Sequence, residues 1–211
     1  KNEDFMKDED FTTPNTTQHN TITPLSFPFL SSPLLSFLFL SIPIPSTVAI
    51  AFRSRLTSHP SQKILLTPHL QEISHNPDTL SLTPPHTPVT ASWIEKAQLP
   101  ALQEVFDLQV DYSSHTGNKT IDTNGMKRMD AFNDWVFTLS SYDTVICGGH
   151  SLWFRSYFRA FLPQDVKAKW KDKKMVNGGA VALTLMRVKD TQGNWRYAID
   201  EKSVEVIYGG F

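Results

Sequence analysis

The chain has 211 residues and a net charge of −1, enough sequence for one ordinary domain or for one domain and a tail. This near-neutral charge gives no basic field that would favour nucleic acid or an anionic membrane as a partner. The single cysteine, Cys147, excludes an internal disulfide and a multi-cysteine zinc site, and it fits a reducing, cytoplasmic location. Proline, with 14 residues, outnumbers glycine, with 9, and charged residues make up only 19%. Neither feature is spread evenly along the chain.

The first part of the chain differs in composition from the rest. Acidic residues dominate positions 1–10, and the stretch 11–52 contains no Lys, Arg, Asp or Glu. Between Pro24 and Pro45 the chain consists almost only of Leu, Phe, Ile, Ser and Pro. The longest run without proline there, 34–42, is under half of the roughly 20 apolar residues that a membrane-spanning helix needs. We therefore expect no transmembrane helix and no membrane partner.

Three interpretations of this segment stay open. Prolines at short intervals block both helix formation and strand pairing, which favours a flexible low-complexity tail. A membrane-associated or targeting stretch is the second interpretation. The third is translated non-coding sequence in a mis-assembled gene, because pyrimidine-rich DNA encodes this Ser/Leu/Phe/Pro alphabet. We accordingly divide the chain into an acidic and low-complexity segment over 1–47, expected to be disordered, and a folded part over 48–211.

The folded part begins with a helix and a strand in the sequence pattern. Apolar spacing predicts a helix over 48–56, and the run KILLT at 63–67 predicts a short buried strand. The proline-rich stretch 68–90 indicates a long irregular connection. One or two helices are expected over 91–107.

The second half of the chain alternates helices and strands. Apolar residues at three- and four-residue spacing predict a helix over 125–139, and the run TVIC at 144–147 predicts a buried strand. Ser151 is expected to cap a helix that runs to Phe161. Three further strands are expected over 180–188, 196–199 and 204–208. A turn at 191–194 is expected between the first two of them. This alternation, followed by a closing hairpin, predicts an α/β fold with a mostly parallel sheet.

The segment CGGHSL, residues 147–152, lies between a buried strand and the start of a helix. In open α/β sheets, ligands bind at the carboxyl ends of strands, and a helix N-terminus offers N–H groups that suit phosphate. His150 can donate a hydrogen bond to a phosphoryl oxygen or exchange a proton near neutral pH. A serine hydrolase is excluded, because Trp153 stands where the nucleophile elbow needs glycine and no histidine follows Ser151. The alternative of a histidine that only caps the helix or makes a local hydrogen bond stays open.

Glu72, in the segment LLTPHLQEIS, is the second candidate. A glutamate enclosed just after a strand can act as a general acid or base, and the alternative is a solvated carboxylate without such a role. His69, Glu72 and His75 are spaced H-x-x-E-x-x-H, which is not the spacing of helical zinc sites, so no metal is expected. His86 and His115 are expected at the surface.

These segments resemble the histidine phosphatase superfamily, the phosphoglycerate-mutase-like proteins. The run TVICGGHSLWFRSYFRAFLP is similar to the strand, second histidine and following helix of that family, and LLTPHLQEIS to the segment with its proton-donating glutamate. The resemblance covers about 48–211, where NGGAVALTLMRV and VEVIYGGF are similar to the family's next strand and C-terminal ending. It implies a three-layer sandwich with a mostly parallel sheet that is incomplete at its N-terminal side.

The resemblance also implies a role for each matching residue. The family transfers phosphoryl groups through a covalent phosphohistidine, which splits one displacement into two. His150 would be the second active-site histidine, which binds the phosphoryl group, and Glu72 would protonate the leaving oxygen. Gly149 and Ser151 would border the phosphate pocket. The implied substrate is a phosphorylated small molecule or another phosphoester, with no cofactor.

The nucleophile of the family is missing from this sequence. The early strand of the family ends in Arg-His-Gly, and neither this triplet nor the Ser-x-x-Arg-Arg-Ala pattern expected before Thr47 occurs here. We therefore expect the chain to be inactive or nearly so. It is then either a phosphoryl-transfer family protein with half a site, or a non-catalytic module that binds a phosphate ligand or a protein. Missing core strands would also leave exposed sheet edges.

Overall fold

The structure is a computed structural model that describes residues 63–73, 85–86, 108–117, 124–139 and 142–211, and the backbone alone of 34–41. All of them belong to one compact unit, Ser32–Phe211. The helices predicted over 48–56 and 91–107 lie outside the described residues. The elements in chain order are β1 Leu34–Ser41, β2 Ile64–Leu65, β3 Val110–Asp111, α1 Gly125–Val136, β4 Thr144–Gly149, α2 Ser151–Phe161, α3 Lys169–Asp172, β5 Ala180–Lys189, β6 Trp195–Ile199 and β7 Glu205–Tyr208.

A five-stranded mixed sheet lies at the centre of these elements. Its strand order is β4-β1-β5-β6, and β7 also pairs with β5. β1 runs parallel to β4, whereas β5 is antiparallel to β1, β6 and β7. β2 and β3 form a separate parallel pair. The prediction of mixed helices and strands is confirmed, but the main sheet is not mostly parallel, because β5 runs against each of its three partners.

β1 lies between β4 and β5, inside the segment 1–47 for which the sequence predicts no regular structure. The register pairs Phe39 with Cys147 of β4 and with Val181 of β5. Pro33 and Pro43 flank this run, and between them no proline interrupts an apolar sequence, so its backbone can pair on both sides. The structure thus differs from the expectation for these eight residues. The facing edges of β4 and β5 are covered rather than exposed.

The helix α1 is the amphipathic helix that the apolar spacing predicts. It begins behind Asn124, whose side-chain oxygen accepts a hydrogen bond from the backbone N–H of Lys127 at 3.0 Å. Met129, Phe132 and Val136 are buried on one face. The helix ends at Val136, three residues before the predicted end, since 137–139 form a turn.

The helix α2 supplies the aromatic centre of the core. Trp153 stacks on Tyr157 with ring centroids 4.9 Å apart, and Phe132 of α1 meets the Trp153 ring edge-on at 5.3 Å. Trp153 is fully buried, as expected for a packing residue. Because large rings at three- and four-residue spacing fix α2 against α1 and the sheet, the first residue of α2 has a defined position.

The remaining elements lie close to their predicted positions. β4 continues beyond the TVIC run through both glycines to Gly149. The last three strands agree with the predicted ranges to within one residue at each end. A bilayer-crossing helix is not among the described elements, the longest of which, α1, has 12 residues.

Candidate functional site

His150 lies at the junction of β4 and α2. It is the N-cap residue of α2, with φ −103° and ψ 145°, so the prediction of Ser151 as the cap is wrong and Ser151 is the first helical residue. The His150 carbonyl accepts the first helical hydrogen bond from the N–H of Phe154 at 3.0 Å. Its imidazole makes no capping hydrogen bond. His150 therefore caps α2 through its backbone and not through its ring.

Glu72 reaches the same place from a short turn after β2. Pro68–Leu70 form a single 3-10 turn, capped by Thr67, whose hydroxyl accepts from the N–H of His69 at 3.4 Å. The Oε1 atom of Glu72 accepts a hydrogen bond from the backbone N–H of Ile73 at 2.7 Å. Glu72 is 7% exposed. The carboxylate is thus enclosed and not solvated.

The two predicted catalytic residues meet at this point. The Nδ1 atom of His150 lies 3.8 Å from Oε2 of Glu72, within ion-pair range but longer than a hydrogen bond. Burial lowers the pKa of His150 below its ordinary value of 6.5, and the Glu72 carboxylate acts in the opposite, smaller sense. The imidazole is therefore neutral at pH 7 and carries one N–H donor.

Two side chains from the neighbouring helices hold the segment that carries Glu72. The indole Nε1 of Trp153 donates to the carbonyl oxygen of His69 at 2.9 Å. The guanidinium of Arg128 donates from Nη1 to the carbonyl of Gln71 at 2.9 Å and from Nη2 to that of Glu72 at 3.2 Å. Sequence reasoning missed Arg128, because a cation on the polar side of an amphipathic helix has the same pattern as any solvated residue.

The small residues predicted beside His150 are adjacent to it along the chain. A Cβ added to Gly149 would lie 2.9 Å from Cζ of Phe154, so this position has no room for a side chain. Ser151 is half-buried at the start of α2. The register pairs Ser41 with Gly149, which brings the carboxyl end of β1 next to that of β4, beside His150.

The other histidines have different surroundings. Burial lowers the pKa of His69, and the Arg128 cation lowers it further. His86 is exposed, as predicted, with its Nδ1 2.9 Å from the carbonyl of Ser113. His115 is only 2% exposed, so its predicted surface position is wrong. Its backbone N–H donates to the carbonyl of Tyr112, and its own carbonyl accepts from the N–H of His86, contacts that loop composition does not reveal.

The arrangement combines three chemical groups at one edge of the sheet. These are a neutral imidazole, an enclosed carboxyl group and the N–H groups at the start of α2. His75, the third residue of the H-x-x-E-x-x-H spacing, lies outside the described residues, and the described part of the chain contains no cluster of three metal-binding side chains. No protein-family model, curated protein or solved structure gives a significant match to this chain.

Proposed function

We propose that this chain is a histidine-phosphatase-like protein that binds a phosphomonoester at the start of α2 and does not turn it over. The observation that supports the proposal is the 3.8 Å approach of Glu72 to His150. These residues are far apart in sequence, and the resemblance assigns both to one phosphoryl site. On this proposal, the main sheet would be the middle layer of a three-layer sandwich.

The start of α2 suits a phosphoryl group for general physical reasons. The first N–H groups of a helix have no partner within the helix, and the helix dipole adds partial positive charge there. The imidazole of His150, at the N-cap, can donate a further hydrogen bond to a phosphoryl oxygen. Ser151, the first residue of α2, offers a hydroxyl at the same place. Binding would therefore combine backbone and side-chain donors.

The lack of turnover follows from the missing nucleophile. A covalent phosphohistidine needs an imidazole in line with the leaving oxygen, and the family supplies it at the end of an early strand. Here β1 ends at Ser41, opposite Gly149, and the chain continues as Ile-Pro-Ile-Pro with neither histidine nor arginine. The resemblance assigns Glu72 to protonation of the leaving oxygen and His150 to binding of the phosphoryl group, so neither residue serves as the nucleophile. The ester would therefore be released intact.

Calorimetric titration of the full chain with phenyl phosphate tests this function. We expect saturable binding to one site, and at least about tenfold weaker binding by His150→Ala, because a hydrogen bond to a charged group is lost. His86→Ala, which removes an exposed histidine, is the matched control and should bind as the wild type does. p-Nitrophenyl phosphate should not be hydrolysed. Equal binding by both variants would refute the site, and phosphate release that depends on His150 would refute the lack of turnover.

A further inference from the structure

We propose that Arg128 is a positioning residue that fixes the Glu72 carboxylate against His150. The inference rests on the proposed function in one respect: it concerns the same site. It assigns a task to a side chain whose hydrogen bonds go to the backbone of the Glu72 segment and not to the imidazole or the carboxylate.

The contact uses both terminal nitrogens of one guanidinium. Nη1 and Nη2 of Arg128 donate to two successive carbonyls, those of Gln71 and Glu72, at 2.9 and 3.2 Å. Because the guanidinium is planar and its donors have fixed directions, two such bonds set the orientations of the two peptide groups on either side of the Glu72 Cα. These two orientations determine where the Glu72 side chain points.

Arg128 can act as a fixed support because α1 is itself fixed. Its neighbour Met129 is 3% exposed and packs in the core. At the start of the helix, a Cβ added to Gly125 would lie 2.4 Å from Cδ1 of Ile73. The absence of a side chain at Gly125 thus lets α1 approach the residue directly after Glu72. The helix and the Glu72 segment are in direct contact at two points.

Electrostatics supports the same pairing. Burial lowers the pKa of Arg128, and the nearby carboxylate of Glu72 partly offsets this effect. The carboxylate therefore stabilises the charge of the Arg128 guanidinium inside the protein. The Trp153 indole holds the beginning of the segment at His69, and Arg128 holds its end. Of these two attachments, only Arg128 contacts the residue that faces His150.

The test is a double-mutant cycle on the His150 imidazole, titrated by NMR in phosphate-free buffer with labelled histidine. Glu72→Gln should lower the pKa of His150 in the wild-type background, since the carboxylate favours the imidazolium. In the Arg128→Met background, the same substitution should leave that pKa unchanged, because Glu72 no longer faces the ring. Comparing the two backgrounds cancels any general change in hydration of His150. An equal shift in both backgrounds would overturn the proposal.

Two variants keep this test decisive. Lys127→Met removes an exposed cation next to Arg128, and it should retain the full effect of Glu72→Gln. Arg128→Lys keeps the charge without the planar pair of donors, so it should reduce the change in the His150 pKa that Glu72→Gln causes. This variant replaces Arg128→Met if Arg128→Met does not fold. Full coupling in Arg128→Lys would overturn the proposal. Since no phosphate is present, failure of phosphomonoester binding leaves this result unaffected.

Discussion

The carboxylate of Glu72 lies 3.8 Å from the imidazole of His150, and each of them arrives from a different part of the chain. A short turn after β2 brings Glu72 to this point, whereas the junction of β4 and α2 brings His150. Burial lowers the pKa of His150 and keeps its imidazole neutral at pH 7, so the two side chains do not form a pair of opposite charges. This charge balance has measurable consequences for ligand binding.

Glu72→Gln should strengthen the binding of phenyl phosphate at pH 7. The carboxylate repels an anionic ligand bound at His150, and its removal is expected to tighten binding about tenfold. Glutamine retains an oxygen that can accept from the N–H of Ile73. Asp172→Asn, in α3 beyond the far end of α2, removes an equal charge elsewhere and should leave the affinity unchanged. Weaker binding by Glu72→Gln would mean that the carboxyl group contacts the ligand as a proton donor.

The stability of the fold should decrease as the pH falls through the range in which histidine titrates. Burial lowers the pKa of both His69 and His150 below 6.5, so the unfolded chain binds protons that the native chain does not. The free energy of unfolding should therefore decrease below about pH 6.5, by up to about 1.4 kcal/mol per pH unit from His150, until the native pKa is reached. The half-buried His69 should contribute less, because solvent screens it.

Urea unfolding between pH 5 and pH 8 measures this dependence. His150→Gln should show a smaller loss of stability towards pH 5 than the wild type, because one of the two imidazoles with a lowered pKa is gone. His86→Gln, at an exposed position, should follow the wild-type curve. A His150→Gln curve parallel to that of the wild type would show that the imidazole is not enclosed.

Trp153→Phe should destabilise the protein by about 1–3 kcal/mol, since the carbonyl of His69 loses its indole donor inside the protein. The comparison is Trp170→Phe, at a partly buried indole beside the core. The Nε1 atom of Trp170 is buried with no hydrogen-bond partner among the described residues, so this substitution removes no such bond. We expect it to cost less than about 1 kcal/mol. Equal losses of unfolding free energy in the two variants would count against the hydrogen bond as the cause.

Leu38→Pro tests the central position of β1. Leu38 pairs with Ile146 of β4 on one side and with Ala182 of β5 on the other, so a proline here should cost about 3 kcal/mol or more. The thiol of Cys147 is a built-in reporter, because it is 3% exposed and burial raises its pKa well above the ordinary range.

We expect a thiol reagent to react much faster with Leu38→Pro than with the wild type. Leu38→Val keeps the backbone N–H and should retain the protection. If Cys147 stays protected in the proline variant and the stability is unchanged, residues 34–41 do not belong to the sheet.

The residues around His150 could be predicted because strong local patterns surround them. The apolar run before the paired glycines and the aromatic spacing after Ser151 predict a strand followed by a helix, and the structure has both. The approach of Glu72 could be anticipated only through the resemblance, since it depends on a turn and on contacts from two helices. Local spacing carries no information about such contacts.

β1 and His115 show where composition misleads. Frequent prolines predict an irregular segment, yet the eight residues of β1 lie between two of these prolines and pair with two strands. Their structure depends on pairing with the edges of β4 and β5, which are distant in sequence, so local composition does not reveal it. His115 likewise is buried because its loop folds inward, although the loop sequence is polar.

The most direct test of a phosphomonoester site without turnover is an NMR titration of the full chain with phenyl phosphate. The imidazole signals of His150 and the ³¹P signal of the ester would be followed together. We predict a saturable shift of the His150 signals, no comparable shift at His86, and an ester that remains intact throughout. Unchanged His150 signals at saturating ester, or inorganic phosphate released by the wild type but not by His150→Ala, would contradict the account.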